Sequence, residues 1–209
     1  MKSHSVAMLA AVAFCLVIRP AFAQVEPNYD LRDITVGMQV GKIPDNGYVN
    51  LMCSADTTRK LPTWSAWREC PAGADALHAI RFDFDPETSR EGTLVAGHPV
   101  ILTALIDASG TVAGLMIDTD PKARLYVRKK AFLLGVQVKA RYGSEGWTCT
   151  QQQPEGNERP VGGIYLKENC RKIVEGRILV VERDLFRRSD QDIKNFVDQT
   201  QVKIMREVK

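Results

Sequence analysis

Histidine is the scarcest chemistry-bearing residue here: His4, His78 and His98 are all there is, and none sits in a His-x-x-x-His or His-Glu-x-x-His frame. A hydrolytic zinc centre takes three protein ligands, which this pattern does not offer. There is no Gly-x-Ser-x-Gly elbow to expose a nucleophilic serine, no Cys-x-x-Cys pair and no Asp-x-Asp-x-Asp-Gly calcium loop. Charge bias is also missing, since 28 Lys and Arg stand against 25 Asp and Glu for a net charge of +3. Such a balance gives no bulk electrostatic reason to bind nucleic acid or an acidic membrane. No apolar run is long enough for a bilayer. The longest, Val6 to Ile18, spans about 20 Å as a helix against a hydrocarbon core of about 30 Å.

That short run has a different use. Lys2 and His4 precede it, and Ala21-Phe22-Ala23 follows with the small-x-small form a signal peptidase reads, so residues 1–23 are expected to be a signal peptide cleaved before Gln24. Cys15 does not make a lipoprotein acceptor, because bulky Phe14 precedes it. Cleavage removes Lys2 and Arg19, leaving 186 residues at a formal charge of +1. The expected location is periplasmic or secreted. No transmembrane segment is expected after cleavage.

Four cysteines remain: Cys53, Cys70, Cys149 and Cys170. An even count in an exported chain implies disulfides, and four cysteines allow three connectivities. Proximity favours Cys53 with Cys70 and Cys149 with Cys170, each bridge worth ~3 kcal/mol by loop-closure entropy.

The most apolar stretch of the mature chain is Pro99 to Pro121, where two aliphatic runs flank Asp107-Ala108-Ser109-Gly110. This reads as a β-hairpin that marks the core. Before it, Ile80, Phe82 and Phe84 alternate with Arg81, Asp83 and Asp85 as in a half-buried strand. Val36 to Ile43 reads as a short helical turn stopped by Pro44, and Tyr48 to Cys53 as a strand. After it, the spacing predicts a helix over 122–134, a strand over 135–142, strands at 147–150, 163–167 and 177–183, and a terminal helix over 190–208. The class is α+β: antiparallel sheet with a few short helices, stapled by disulfides. Residues 24–121 and 122–209 each run helical element, cysteine-bearing strand, second cysteine, further strands. They are read as two α+β units in a pseudo-repeat, the alternative being one antiparallel sheet with helices on one face.

Val36-Gly37-Met38, the tight turn after it and the cysteine-bearing strand resemble the opening of small exported modules of the BamE, PepSY and β-lactamase-inhibitor-protein type. The chain as a whole is similar to exported alphaproteobacterial proteins. The first resemblance covers about 50 residues of the first unit. It implies a short helical element on an antiparallel sheet, and action by binding or blocking another protein.

Candidate site residues are few. Asp83, Asp85, Asp118 and Asp120 stand two apart in pairs, so each pair shares a strand face and the four could hold a divalent cation through oxygen ligands. Trp64 and Trp67, three apart, could form a binding platform. Arg124, Arg128, Lys129 and Lys130, with Arg187 and Arg188, could meet an acidic partner or anionic lipid. The leading expectation is an exported protein with no catalytic residues and no cofactor, binding another envelope protein. A divalent-cation-binding protein and a hydrolase with an unrecognised site are the alternatives. If both staples form, thiol titration of the denatured, unreduced mature chain gives no sulfhydryl, and four would refute them.

Overall fold

The computed structural model describes residues 29–208. The signal peptide expected over 1–23 lies outside them. A 3-10 turn at Val40–Lys42 is followed by β1 (Tyr48–Cys53), a 3-10 helix at Trp64–Glu69, β2 (His78–Phe84) and β3 (Leu94–Val95). Next come β4 (His98–Ile106), β5 (Val112–Thr119), α1 (Leu125–Arg128) and α2 (Phe132–Arg141). The chain ends with β6 (Thr148–Gln151), β7 (Glu158–Arg159), β8 (Leu166–Val174), β9 (Arg177–Arg188), a 3-10 turn at Ile193–Asn195 and β10 (Val197–Arg206).

The expected hairpin is β4–β5, antiparallel with Leu102 opposite Ile117 and Ala104 opposite Leu115. Asp107 closes its turn. One carboxylate oxygen accepts the Ser109 and Thr111 amides at 2.9 and 3.0 Å, and the other accepts from Arg206 at 2.9 Å. Burial works against this charge, yet the hydrogen bonds win and hold the carboxyl below its ordinary range. Gly110 supplies the positive φ of 81° that the reversal needs, with the Trp67 ring packed directly on it.

Around the hairpin runs one antiparallel sheet in the order β1-β2-β4-β5-β10-β9-β8-β6, with β3 beside β4 and β7 beside β9. The strands before Pro121 form one half of that order and those after it the other. β5 and β10 meet at the centre, with Ile117 opposite Val202. The sheet therefore passes unbroken across the 121/122 boundary.

Because side chains alternate, the register decides what each face carries. Phe82, Leu102, Ile117, Val202, Val181 and Cys170 stand in line across the strands on one face, and all are buried. α2 packs here through Leu134 and Val138, both buried. Gly135 suits this close contact: a Cβ there would sit 3.1 Å from Val181 Cγ1, which would have to give by a few tenths of an ångström. On the first half, Trp64 fills the space beside Tyr48 and Phe82, with edge-on ring centroids at 5.6 and 5.1 Å.

Three expected elements are corrected. Residues 135–141 belong to helix α2, not a strand, and the helix predicted over 122–134 is split into α1 and the start of α2. Val136 and Val138 mimic alternation, but a helix puts Leu134 and Val138 on one side and leaves Val136 54% exposed. The terminal helix is instead strand β10. Phe196, Val197, Thr200 and Ile204 fit a helical stripe, yet the buried positions are Phe196, Asp198, Thr200, Val202 and Ile204, with period two. A place between β5 and β9 overrides the local pattern.

Both disulfides connect as proximity favoured, Cys53–Cys70 and Cys149–Cys170. The start of the chain is tied to the far half by Asp30. Its carboxylate accepts from Arg177 Nε at 2.7 Å, the Tyr142 hydroxyl at 2.7 Å and the Val36 amide at 2.8 Å. The Asp30 side chain is 2% exposed, and removing one partner of a buried pair strands the other. Asp30→Ala should cost about 3–5 kcal/mol in urea unfolding, and a loss below about 1 kcal/mol would mean that the pair behaves as a surface ion pair.

Candidate functional site

Among the described residues, no helix packs on the other face of the sheet. β5, β10 and β9 present on it Asp118, Gln201 and Glu182 in one register row, with Gln199 opposite Asp184 in the next. With Ile101, Pro121 and the flanking threonines these residues line a groove of about 290 Å³. Sheet geometry alone creates it. Carboxylates two apart on β9 and amides two apart on β10 project the same way, and the central pairing sets Asp118 beside them.

The groove is acidic and only partly neutralised. Gln201 Nε2 donates to Asp118, and Glu182 accepts from Lys203 at 3.2 Å and from Asn169 at 3.2 Å. Asp184 has no hydrogen-bond or ion-pair partner among the described residues. Burial pushes the Asp118 carboxyl above its ordinary range despite the Gln201 amide and the Lys203 charge. Burial does the same at Asp184, where the Lys167 charge opposes it and the Glu182 and Glu158 charges add to it. Lys167 is committed elsewhere, since its ammonium lies 3.1 Å from Glu158 Oε1, and Glu158 also accepts the Tyr165 hydroxyl at 2.8 Å.

The four aspartates named from sequence do not converge. Asp83 accepts from Asn50 at 2.9 Å, and β4 lies between its strand and that of Asp118. Two strand spacings are about 9–10 Å, too far for one cation to bridge directly. Asp85 and Asp120 each accept a backbone amide two residues on, from Glu87 and Lys122, as turn residues do. Among the described residues, one set of three potential ligand groups has atoms within 4.8 Å of one another: Cys149, Glu168 and Cys170. Its sulfurs are already bonded to each other.

Trp64 and Trp67 are 1% and 3% exposed, so they are core residues and form no surface platform. The reason lies in their 3-10 helix, which lays Trp64 on Phe82 and Trp67 on His78 at 4.7 Å. The basic cluster is divided. Arg124, Lys129 and Lys130 are exposed, whereas Arg128 lies half-buried with its guanidinium 5.4 Å from the Phe196 ring. Lys129 and Lys194 flank a second groove, about 410 Å³, walled by Leu125, Val161, Leu185 and Phe196 with Asp198 in its lining. Asp198 is 7% exposed, one of its carboxylate oxygens is unpartnered, and burial raises its pKa against the charges of Arg183, His98 and Arg128.

Sequence reasoning found Asp118 but missed Glu182, Asp184, Gln199 and Gln201. The i, i+2 spacing of Glu182/Asp184 and Gln199/Gln201 was the available signal, and it was hidden for the second pair by the helical reading of 190–208. No protein-family model, curated protein or solved structure matches the chain.

Three carboxyls, Asp118, Asp184 and Asp198, thus have folded pKa values raised above the ordinary aspartate value of about 3.9. A raised carboxyl makes the folded state bind protons more readily than the unfolded one. Its stabilising contribution is present at low pH and is lost as pH rises through the folded value. Asp107 and Glu158, held low, act in the opposite sense as pH falls. The melting temperature should therefore rise as pH falls from 7 toward the ordinary aspartate pKa of about 3.9, and fall again at lower pH as Asp107 and Glu158 are protonated. A melting temperature that only declines from pH 7 downward would contradict these assignments.

Proposed function

We propose that this is an exported, non-catalytic binding protein, periplasmic or secreted, that engages another envelope protein through the helix-free face of its sheet. The observation that carries the reading is the groove over β5, β10 and β9, where Asp118, Glu182 and Asp184 crowd together with one lysine close enough to pair. An isolated carboxylate at the floor of a groove is a poor use of burial unless something neutralises it. A lysine or arginine projecting from a partner protein would do so, with the glutamines on either side as hydrogen-bonding company. Two four-strand units meeting at β5–β10 also support the pseudo-repeat reading, in which each unit is a short helical element on an antiparallel sheet. The resemblance to the β-lactamase-inhibitor-protein type points the same way.

The divalent-cation reading has no converged donor set to rest on among the described residues, since Asp118, Glu182 and Asp184 line one groove without forming a set of three ligand atoms within 4.8 Å of one another.

The test uses the mature chain, immobilised, and an envelope extract. Asp118→Asn with Asp184→Asn should leave the fold intact or firmer, because burial already disfavours both charges. The pair should reduce capture of the wild-type partner at least tenfold, with salt weakening wild-type capture. Capture indifferent to both the substitutions and salt would refute the reading. Calcium raising the melting temperature of the wild type and not of the double variant would move the groove to the cation reading.

A further inference from the structure

The two disulfides sit in opposite settings. Cys53 and Cys70 are 0% and 1% exposed, with Cys70 capping the C-terminal end of the Trp64–Glu69 helix. Cys149 is exposed, on strand β6, whose four residues are all exposed and whose partner in the sheet is β8 alone. Cys170, opposite it on β8, is buried. The Lys139 ammonium, from the last turn of α2, stands 3.1 Å from Cys170 Sγ and 4.0 Å from Cys149 Sγ. Glu168, two residues before Cys170, holds that ammonium in place at 3.5 Å, and its Oε2 lies 3.1 Å from the Cys170 sulfur.

Thiol–disulfide exchange needs an accessible sulfur to attack and a sulfur that leaves as a stable thiolate. A neighbouring ammonium lowers a thiol's pKa and so makes it the better leaving group. We infer that the Cys149–Cys170 bridge is a site of thiol–disulfide exchange with dithiols, attacked at Cys149 and released at Cys170 beside Lys139.

The step balances. A thiolate of the dithiol forms a bond to Cys149 Sγ while the Cys149–Cys170 bond breaks, and its electron pair stays on Cys170 as a thiolate facing Lys139. The second thiol of the reagent then attacks the mixed disulfide, closing the reagent's own disulfide and releasing Cys149. Two electrons and two protons pass from the dithiol to the protein. Glu168 places the ammonium, and because its own carboxylate lies 3.1 Å from Cys170 Sγ and opposes a thiolate there, the Lys139 charge has that repulsion to offset as well. The inference is independent of the groove on the helix-free face, since these residues belong to the far edge of the sheet.

The test is reduction of the folded mature protein by dithiothreitol, quenched with iodoacetamide and read by peptide mapping. Cys149 and Cys170 should be alkylated while Cys53 and Cys70 remain bridged, the intact second bridge also reporting that the protein stayed folded. Lys139→Met should slow reduction of Cys149–Cys170 on the order of threefold for each unit that the leaving thiol's pKa rises, and Lys139→Arg should restore most of the rate. Equal rates for the two bridges, resistance of Cys149–Cys170 until unfolding, or a Lys139→Met rate equal to wild type would each overturn it.

Discussion

The pairing of β5 with β10 is the contact on which the rest of the architecture depends. β5 belongs to the hairpin at the centre of the sequence and β10 is the last strand, so closing this pair joins the ends of two meanders into one sheet. Its chemistry is unusually complete for so distant a contact. Thr119 Oγ1 accepts the Thr200 amide at 2.9 Å and donates to the Thr200 carbonyl at 3.3 Å, in buried surroundings. Beside it Ile117 faces Val202 on the core side. A one-residue slip would send Val202 and Ile204 to the solvent face and bring Gln201 and Lys203 into the core. Burial therefore specifies the register, and the same register builds the acidic groove on the other side.

Around that centre the molecule is held at its margins. The β1 edge is closed by the chain itself, through hydrogen bonds from Leu61 to Leu51 at 2.9 Å and from Cys53 to Arg59 at 3.1 Å, and by a buried disulfide. The β6 edge has its disulfide and the hydrogen bonds of a four-residue strand. Asp30 adds a third tie, joining the lead-in to α2 and β9 across the two halves. An edge strand that is short and polar, as Thr148–Gln151 is, resists unwanted pairing with other chains. It is also the element least supported by apolar burial, which is why its covalent staple matters more there than at β1.

What was legible in the sequence followed local periodicity. The hairpin at 99–121, the alternating strand Ile80–Phe84, the strand near 177–183 and the disulfide pairing by proximity all depend on residues close along the chain. α2 and β10 were misread because their apolar spacings fit two periods at once, and the deciding fact was a neighbour from far away: Val181 beneath Gly135 for the helix, β5 and β9 on either side of Val202 for the strand. The groove was less legible still. Asp118 could be named, but nothing in the sequence says that positions 182, 184, 199 and 201 share its face until β10 is known to be a strand. Trp64 and Trp67 illustrate the converse, since spacing that would align them for a ligand equally aligns them for a core.

The acidic side chains of this fold are compensated unevenly. Desolvation disfavours a carboxylate, and at half-buried Asp118 and Asp184 and at buried Asp198 it outweighs the nearby positive charges, even though Asp118 accepts from Gln201. At Asp30, Asp107 and Glu158, by contrast, each carboxylate is held by several donors. The contrast shows that the fold has the means to pair its acids where it needs only stability. Two of the three exceptions line the groove created by the central register, and the third lines the apolar groove beside α1. Residual charge of this kind is a source of binding free energy held in the unbound protein, because a cation brought to it relieves a penalty that folding has already incurred. The central register thus places two of these incompletely compensated carboxyls, Asp118 and Asp184, together on the helix-free face.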